Sequence, residues 1–371
     1  MKAWLKCALF MFCFLVCALV SAQVVKQIYG FKGGIKINPG VAITPRDLAP
    51  APQQGKFFTE SWTFVYYTDD GGGGYIQYSI ARVGYTIRQI GAHHTHYSGD
   101  GKSYYEKEIL SQKDLKWEEK VPRLTMANSE WDGFCPKIHL SLPLPGLETD
   151  MTFNCLVGPW RPGTGPVHYI TPDGDWYNLV VLTPWARVEG TVKTEGKARK
   201  ITGWGYADHA SQTVFFNTQA KVLYALRSFG GNWAIHFLDY HAPADFAGKR
   251  VSWIMVMKDN RIIYVTDKFE IQGSDWIAEP RRGRKYPTRV KISVNEPDFQ
   301  LEADIKASRL FDVLDFRDQI PGWLEPAVSK LMRQPATIRQ KVEFNWKVNY
   351  QGKEQIVPVQ GILEYTIVEK G

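Results

Sequence analysis

The side chains with the most chemical potential lie together in one short stretch, Gly203-Trp204-Gly205-Tyr206-Ala207-Asp208-His209-Ala210. An acid and an imidazole adjoin there within apolar, strand-like sequence. Two readings stay open. Buried polar groups usually satisfy hydrogen bonds, so Asp208 and His209 would serve backbone groups at a barrel corner. Alternatively they stand at the polar end of a ligand cavity. A carboxylic acid kept neutral in an apolar site can protonate an isolated double bond. In that reading Asp208 is the general acid, His209 its orienting or relay partner, and Trp204 and Tyr206 are the aromatic faces that stabilise a cation.

Strand alternation puts Trp204, Tyr206 and Asp208 on one side and Gly205, Ala207 and His209 on the other. The large side is the expected cavity wall inside a first barrel. A bulge at Gly203 or Gly205 would exchange Asp208 for His209 at that wall. Trp185, Tyr224, Trp233 and His236, on neighbouring strand-like segments, complete the expected ligand-binding set.

Two further groups merit a chemical reading. His93, His94 and His96 form the densest histidine cluster, with His94 and His96 on one strand face. A metal needs more ligands in a defined geometry and an oriented outer shell, so no metal and no cofactor are expected. Among the cysteines, Cys135 and Cys155 lie beyond the N-terminal segment, without zinc-type spacing. In an oxidising compartment they are expected to pair.

The elements that position these residues are strands. Trp62, Phe64 and Tyr66 alternate with Thr63, Val65 and Tyr67, and residues 69–74 (Asp-Asp followed by four glycines) form a turn into a return strand from Tyr75. The glycines lack the Lys-Ser/Thr pair and following helix of a phosphate loop. Residues 222–271 alternate again, and 251–257 are apolar on both faces. Only residues 322–332 carry apolar side chains at helical spacing. The expected organisation is a signal peptide at 1–22, an irregular arm at 23–55, a first barrel at 56–271, a basic linker at 272–287 and a second, smaller barrel at 288–371 with one short helix. The fold class is all-β.

The chain has 371 residues, a net charge of +7 with both signs interspersed, and 13 Trp. The basic run Arg281-Arg282-Gly283-Arg284-Lys285 reads as a solvated linker. Aromatics do not interleave with Lys or Arg along one face, which argues against a nucleic-acid partner. Lys2 and Lys6, the apolar stretch 8–20 and Val20-Ser21-Ala22 form a secretory signal with a cut before Gln23. Export to a periplasmic, extracellular or lumenal space is the expected localisation, with a peripheral membrane contact left open.

The ordered set of motifs resembles the Svf1-like survival-factor family, within the tandem lipocalin-like group that includes the carotenoid hydratases and AttH-type proteins. Thr68-Asp69-Asp70-Gly71 running into Gly74-Tyr75-Ile76-Gln77 carries it. So do Trp185-Ala186-Arg187-Val188-Glu189-Gly190, the segment around Asp259, and Asp312-Val313-Leu314 through Ile320-Pro321 to Gln334-Pro335. Gly203–His209 is similar to the motif of the hydratase and AttH side. The resemblance implies two lipocalin-like barrels, binding of hydrophobic lipids such as ceramides, and a link to oxidative-stress survival.

Two functions follow as expectations. The first is a non-enzymatic carrier of a hydrophobic molecule such as a lipid, ceramide-like or isoprenoid ligand, held by apolar burial at roughly 25 cal/mol per Å². The second is a hydratase- or cyclase-like enzyme acting on an isoprenoid or polyene through Asp208. An interaction module is the third, blander class.

Overall fold

The computed structural model describes residues 27–53, 57–83, 87–171, 173–214, 219–319 and 333–370. The expected signal peptide at 1–22 and helix at 322–332 lie outside the described residues. Every long segment with two-residue periodicity is a strand, and all pairings are antiparallel. The fold is lipocalin-like, built from two curled sheets of 13 and 9 strands.

The first sheet holds β1 to β13. Its central hairpin is β2 (Phe57–Thr68) and β3 (Gly73–Val83), joined through the expected turn. It continues through β4 (Ile87–Tyr97) to β5 (Ser103–Leu110) on one side. On the other it runs through β13 (Lys197–Gln212), β12 (Trp176–Thr194) and β10 (Leu147–Val157). Trp62, Phe64, Tyr66, Tyr78, Trp131 and Phe153 fill its concave face. The Tyr78 hydroxyl crosses that interior to donate to the carbonyls of Glu130 and Ser141. The N-terminal arm packs on this barrel: helix α1 (Pro45–Leu48) buries Leu48, whose carbonyl accepts from Trp62 Nε1 at 2.9 Å.

Cys135 and Cys155 form the expected disulfide, with Cα atoms 5.7 Å apart. It ties the start of β9 (Lys137–Leu144) to β10, its sheet neighbour.

The second sheet runs from β14 (Val222–Gly230) to β22 (Lys353–Lys370). Two expected boundaries change here. The sheet changes between Gln212 and Val222, so β14, β15 (Trp233–His241) and β16 (Arg250–Lys258) belong to the second barrel and not to the first. The cause is the long-range pairing of β14 with β22, which local sequence does not reveal. Residues 272–287 are no linker: β18 (Glu270–Ala278) and β19 (Lys285–Glu296) form a hairpin. Its turn is held by charge, because Arg282 and Arg284 pair with Asp315 while Arg281 and Arg282 pair with Asp318.

The second barrel has its own interior, packed with Phe237, Phe269, Phe299 and Trp346. A third apolar cluster lies between the barrels, where the convex faces of both sheets meet. Tyr67, Tyr97, Trp185 and Tyr206 from the first sheet join Phe229, Trp253, Phe311 and Ile362 from the second. This face-to-face packing positions the candidate site.

Candidate functional site

Strand β13 is shared by both environments. Its small side faces the first barrel's interior. A Cβ on Gly205 would meet Val188 Cγ2 at 2.4 Å and Phe153 Cε1 at 2.5 Å, so side chains already occupy that space. His209 points the same way and stacks on Trp62, with ring centroids 4.8 Å apart. One ring nitrogen is 2.9 Å from Glu60 Oε1, the other 3.0 Å from the Asp47 carbonyl. One nitrogen ties the arm to β13 and the other joins β13 to Glu60 of β2, so both are engaged.

Trp204, Tyr206 and Asp208 do share one face, but it is the convex face turned to the second sheet. The expected placement of Tyr206 or Trp204 inside the first barrel is corrected on this point. The interior is filled from the Trp62 side of β2, which leaves the large side of β13 to cover the neighbouring barrel.

At this interface, charge is buried. Asp208 Oδ2 is 3.6 Å from an Arg227 guanidinium nitrogen, and that guanidinium lies 4.7 Å from the centre of the Tyr206 ring. Arg339 pairs with Glu364 at 3.0 Å and Asp312 at 3.2 Å, and sits 3.7 Å over the Tyr75 ring. Tyr97 stacks on Phe311 with centroids 4.1 Å apart. Burial raises the Asp208 carboxyl, and Arg227 opposes that rise. Burial likewise raises Asp312 against Arg339. The Tyr75 phenol is pushed up to about 12, by burial and then by Glu364. Cations over aromatic faces and one cross-sheet ion pair therefore fasten the barrels.

Beyond His93 the two convex faces part. β3, β4 and β5 present Gln77, Ser79, Ala81, Gly91, His93, Tyr105 and Ile109, and β20 (Phe299–Asp315) and β21 (Arg333–Tyr350) present Leu314, Pro335 and Thr337. The gap is a cleft of about 350 Å³. Ser79 and Gly91 stand opposite each other in the ladder, with Gln77 opposite His93. Serine, alanine and glycine on this face cannot fill the space that Tyr75 and Tyr97 fill two and three same-face residue pairs from Ser79 and Gly91. The result is a groove with mainly apolar walls, which carries the polar groups Gln77, His93 and Thr337 and is also lined by the charged Lys107, Glu108 and Asp315. Burial pushes the His93 imidazole down to about 3, assisted by Arg339 and Lys107.

The expected ligand residues do not converge on one pocket. Trp185, Trp204, Tyr206 and His236 meet at the interface. The Trp185 and Trp204 rings lie 5.9 Å apart, His236 is edge-on to Tyr206 at 5.4 Å, and His236 Nε2 donates to the Pro184 carbonyl at 2.6 Å. That carbonyl reaches the second sheet because β12 bulges between Val181 and Ala186. Tyr224 and Trp233 instead face the second barrel's interior. None of these residues, nor Asp208, lines the cleft. Of the histidine cluster, His94 and His96 share a face as expected, each 2.8 Å from the Tyr66 hydroxyl. Among the described residues no group of three His, Cys, Asp or Glu is arranged to hold a metal. The cleft residues were missed, and their only local signal was the run of small side chains at Ser79, Ala81, Gly91 and Ala92.

The model of the Svf1 family matches residues 176–369, just over half of the chain. Among solved structures the chain is similar to a protein assigned as AttH from Nitrosomonas europaea, at a TM-score of 0.62 and 13% identity over 88% of this chain and 97% of that one. It is similar to CghA crystallised with Sch210972, at 0.61 and 11% over 94% and 100%. It is also similar to kievitone hydratase from Nectria haematococca, at 0.59 and 11% over 92% and 98%. At such identities the likeness shows the fold. No curated protein matches the sequence.

Proposed function

The chain belongs to the Svf1 family, and on that footing we propose that it binds and carries a hydrophobic small molecule in the cleft between its two barrels. The observation that carries this reading is the cleft itself. Its volume of about 350 Å³ falls in the range of small-molecule sites, which combine apolar walls with a few convergent polar groups. The barrel interiors are packed with aromatic side chains, so the ligand belongs at the interface and not in the calyx. Two of the similar structures, CghA crystallised with Sch210972 and kievitone hydratase, agree with a small-molecule function.

The enzymatic reading rests on the raised Asp208 carboxyl. Asp208 is 3.6 Å from Arg227 and does not line the cleft, so the geometry favours the carrier. We further propose export through the secretory pathway, which the N-terminal sequence and the Cys135–Cys155 disulfide support. A contribution to survival of oxidative stress would be its cellular consequence.

The test is mass spectrometry of an organic extract of the native protein, beside an Ala81→Trp variant. Ala81 is partly exposed on the cleft wall, and an indole there fills the groove without entering either core. The purified protein should carry or take up lipid, and the variant should not. A protein that never accepts lipid refutes the proposal.

A further inference from the structure

The inner end of the cleft holds a polar atom without a partner. His93 Nε2 is buried and makes no hydrogen bond, although such atoms in folded proteins are nearly always paired. The ring stacks beside Tyr75, with centroids 6.0 Å apart and an interplanar angle of 12°. Its polar neighbours are mostly committed: Gln77 donates to Thr63 Oγ1 at 3.3 Å, and Ser79 donates to the Gly91 carbonyl at 3.3 Å.

The hydrogen-bonding chemistry of the imidazole selects among head groups. Burial, assisted by Arg339 and Lys107, keeps the imidazole neutral. A neutral imidazole offers Nε2 either as N–H or as a lone pair, according to tautomer. An ammonium can only donate and a carboxylate can only accept, so each satisfies Nε2 in one tautomer alone. A hydroxyl both donates and accepts, so it satisfies Nε2 in either state. A hydrocarbon satisfies neither.

The geometry points to His93 as the specificity-determining anchor of the cleft, selecting a neutral, hydroxyl-bearing amphiphile whose apolar body lies over Ser79, Ala81 and Gly91. This rests on the cleft being the binding site, and the experiment separates the two.

Nile red uptake by the full chain is measured first, followed by its displacement with dodecanol, dodecane, dodecylamine and dodecanoate. Dodecanol should displace it about tenfold better than each of the other three, the scale of one hydrogen bond to an otherwise unsatisfied buried group. His93→Phe should remove that preference while leaving displacement by dodecane unchanged, and His93→Gln should restore most of it. Near-ultraviolet circular dichroism confirms that each variant is folded. Equal displacement by all four compounds, or a preference that survives His93→Phe, overturns the anchor and leaves the carrier reading intact. Nile red that does not bind, or binds equally well to Ala81→Trp, overturns the cleft itself.

Discussion

Arg339→Met tests the account of the interface most severely. The guanidinium is 3% exposed, lies 3.0 Å from Glu364 and 3.2 Å from Asp312, and covers Tyr75 at 3.7 Å. Methionine keeps much of the volume and removes the charge. Two carboxylates, with side-chain exposures of 14% and 16%, then lose their shared cation. Removing one partner of a buried pair typically costs about 3–5 kcal/mol, since the orphaned charge stays desolvated. The loss of the ring contact adds about 1 kcal/mol. The pH dependence follows from Asp312. Its folded pKa is already raised above the unfolded value, so the folded state binds the proton more tightly. Stability therefore falls as pH rises from the unfolded pKa through the folded one. Without Arg339 that folded pKa rises further, so the variant should lose most stability near neutrality and approach wild type near pH ~4. Adding Asp312→Asn should recover part of the loss. Guanidinium denaturation across this pH range is the assay. A loss below about 1 kcal/mol, or one that does not vary with pH, would refute the claim that Arg339 holds two desolvated carboxylates of the second sheet beside Tyr75 of the first.

The remaining predictions are simpler. Replacing Cys135 and Cys155 by serine opens a loop with a sequence separation of 20 and should cost about 3 kcal/mol, read by denaturation, with thiol alkylation checking that the wild-type pair is oxidised. Gly205→Ala sets a methyl 2.4 Å from Val188 and 2.5 Å from Phe153 and should destabilise by about 1–3 kcal/mol through overpacking; a neutral result in a thermal melt would mean that β13 is turned the other way. Intact mass of the exported chain should begin at Gln23, and a chain retaining Met1 would contradict the secretory assignment.

Local sequence specified the strands well, because a strand's alternation is a property of neighbouring residues. Trp62, Phe64 and Tyr66 do point opposite to Val65 and Tyr67, and the glycine-rich turn does close their hairpin. The common face of Trp204, Tyr206 and Asp208 was legible for the same reason, while the pairing of Cys135 with Cys155 followed from their being the two cysteines beyond the N-terminal segment. Alternation says that two faces differ, and it does not say what covers each. Both faces of β2 and β13 are apolar, so which one is the barrel interior depended on the second sheet packing across the other. The two halves of that sheet are joined by β14 pairing with β22, a contact between segments more than a hundred residues apart that no local pattern encodes. The cleft has the same origin. Ser79, Ala81 and Gly91 are unremarkable in a strand, and they become a ligand-sized gap only because Leu314, Pro335 and Thr337 of the second barrel stand opposite them at a distance that Tyr97 and Phe311 set.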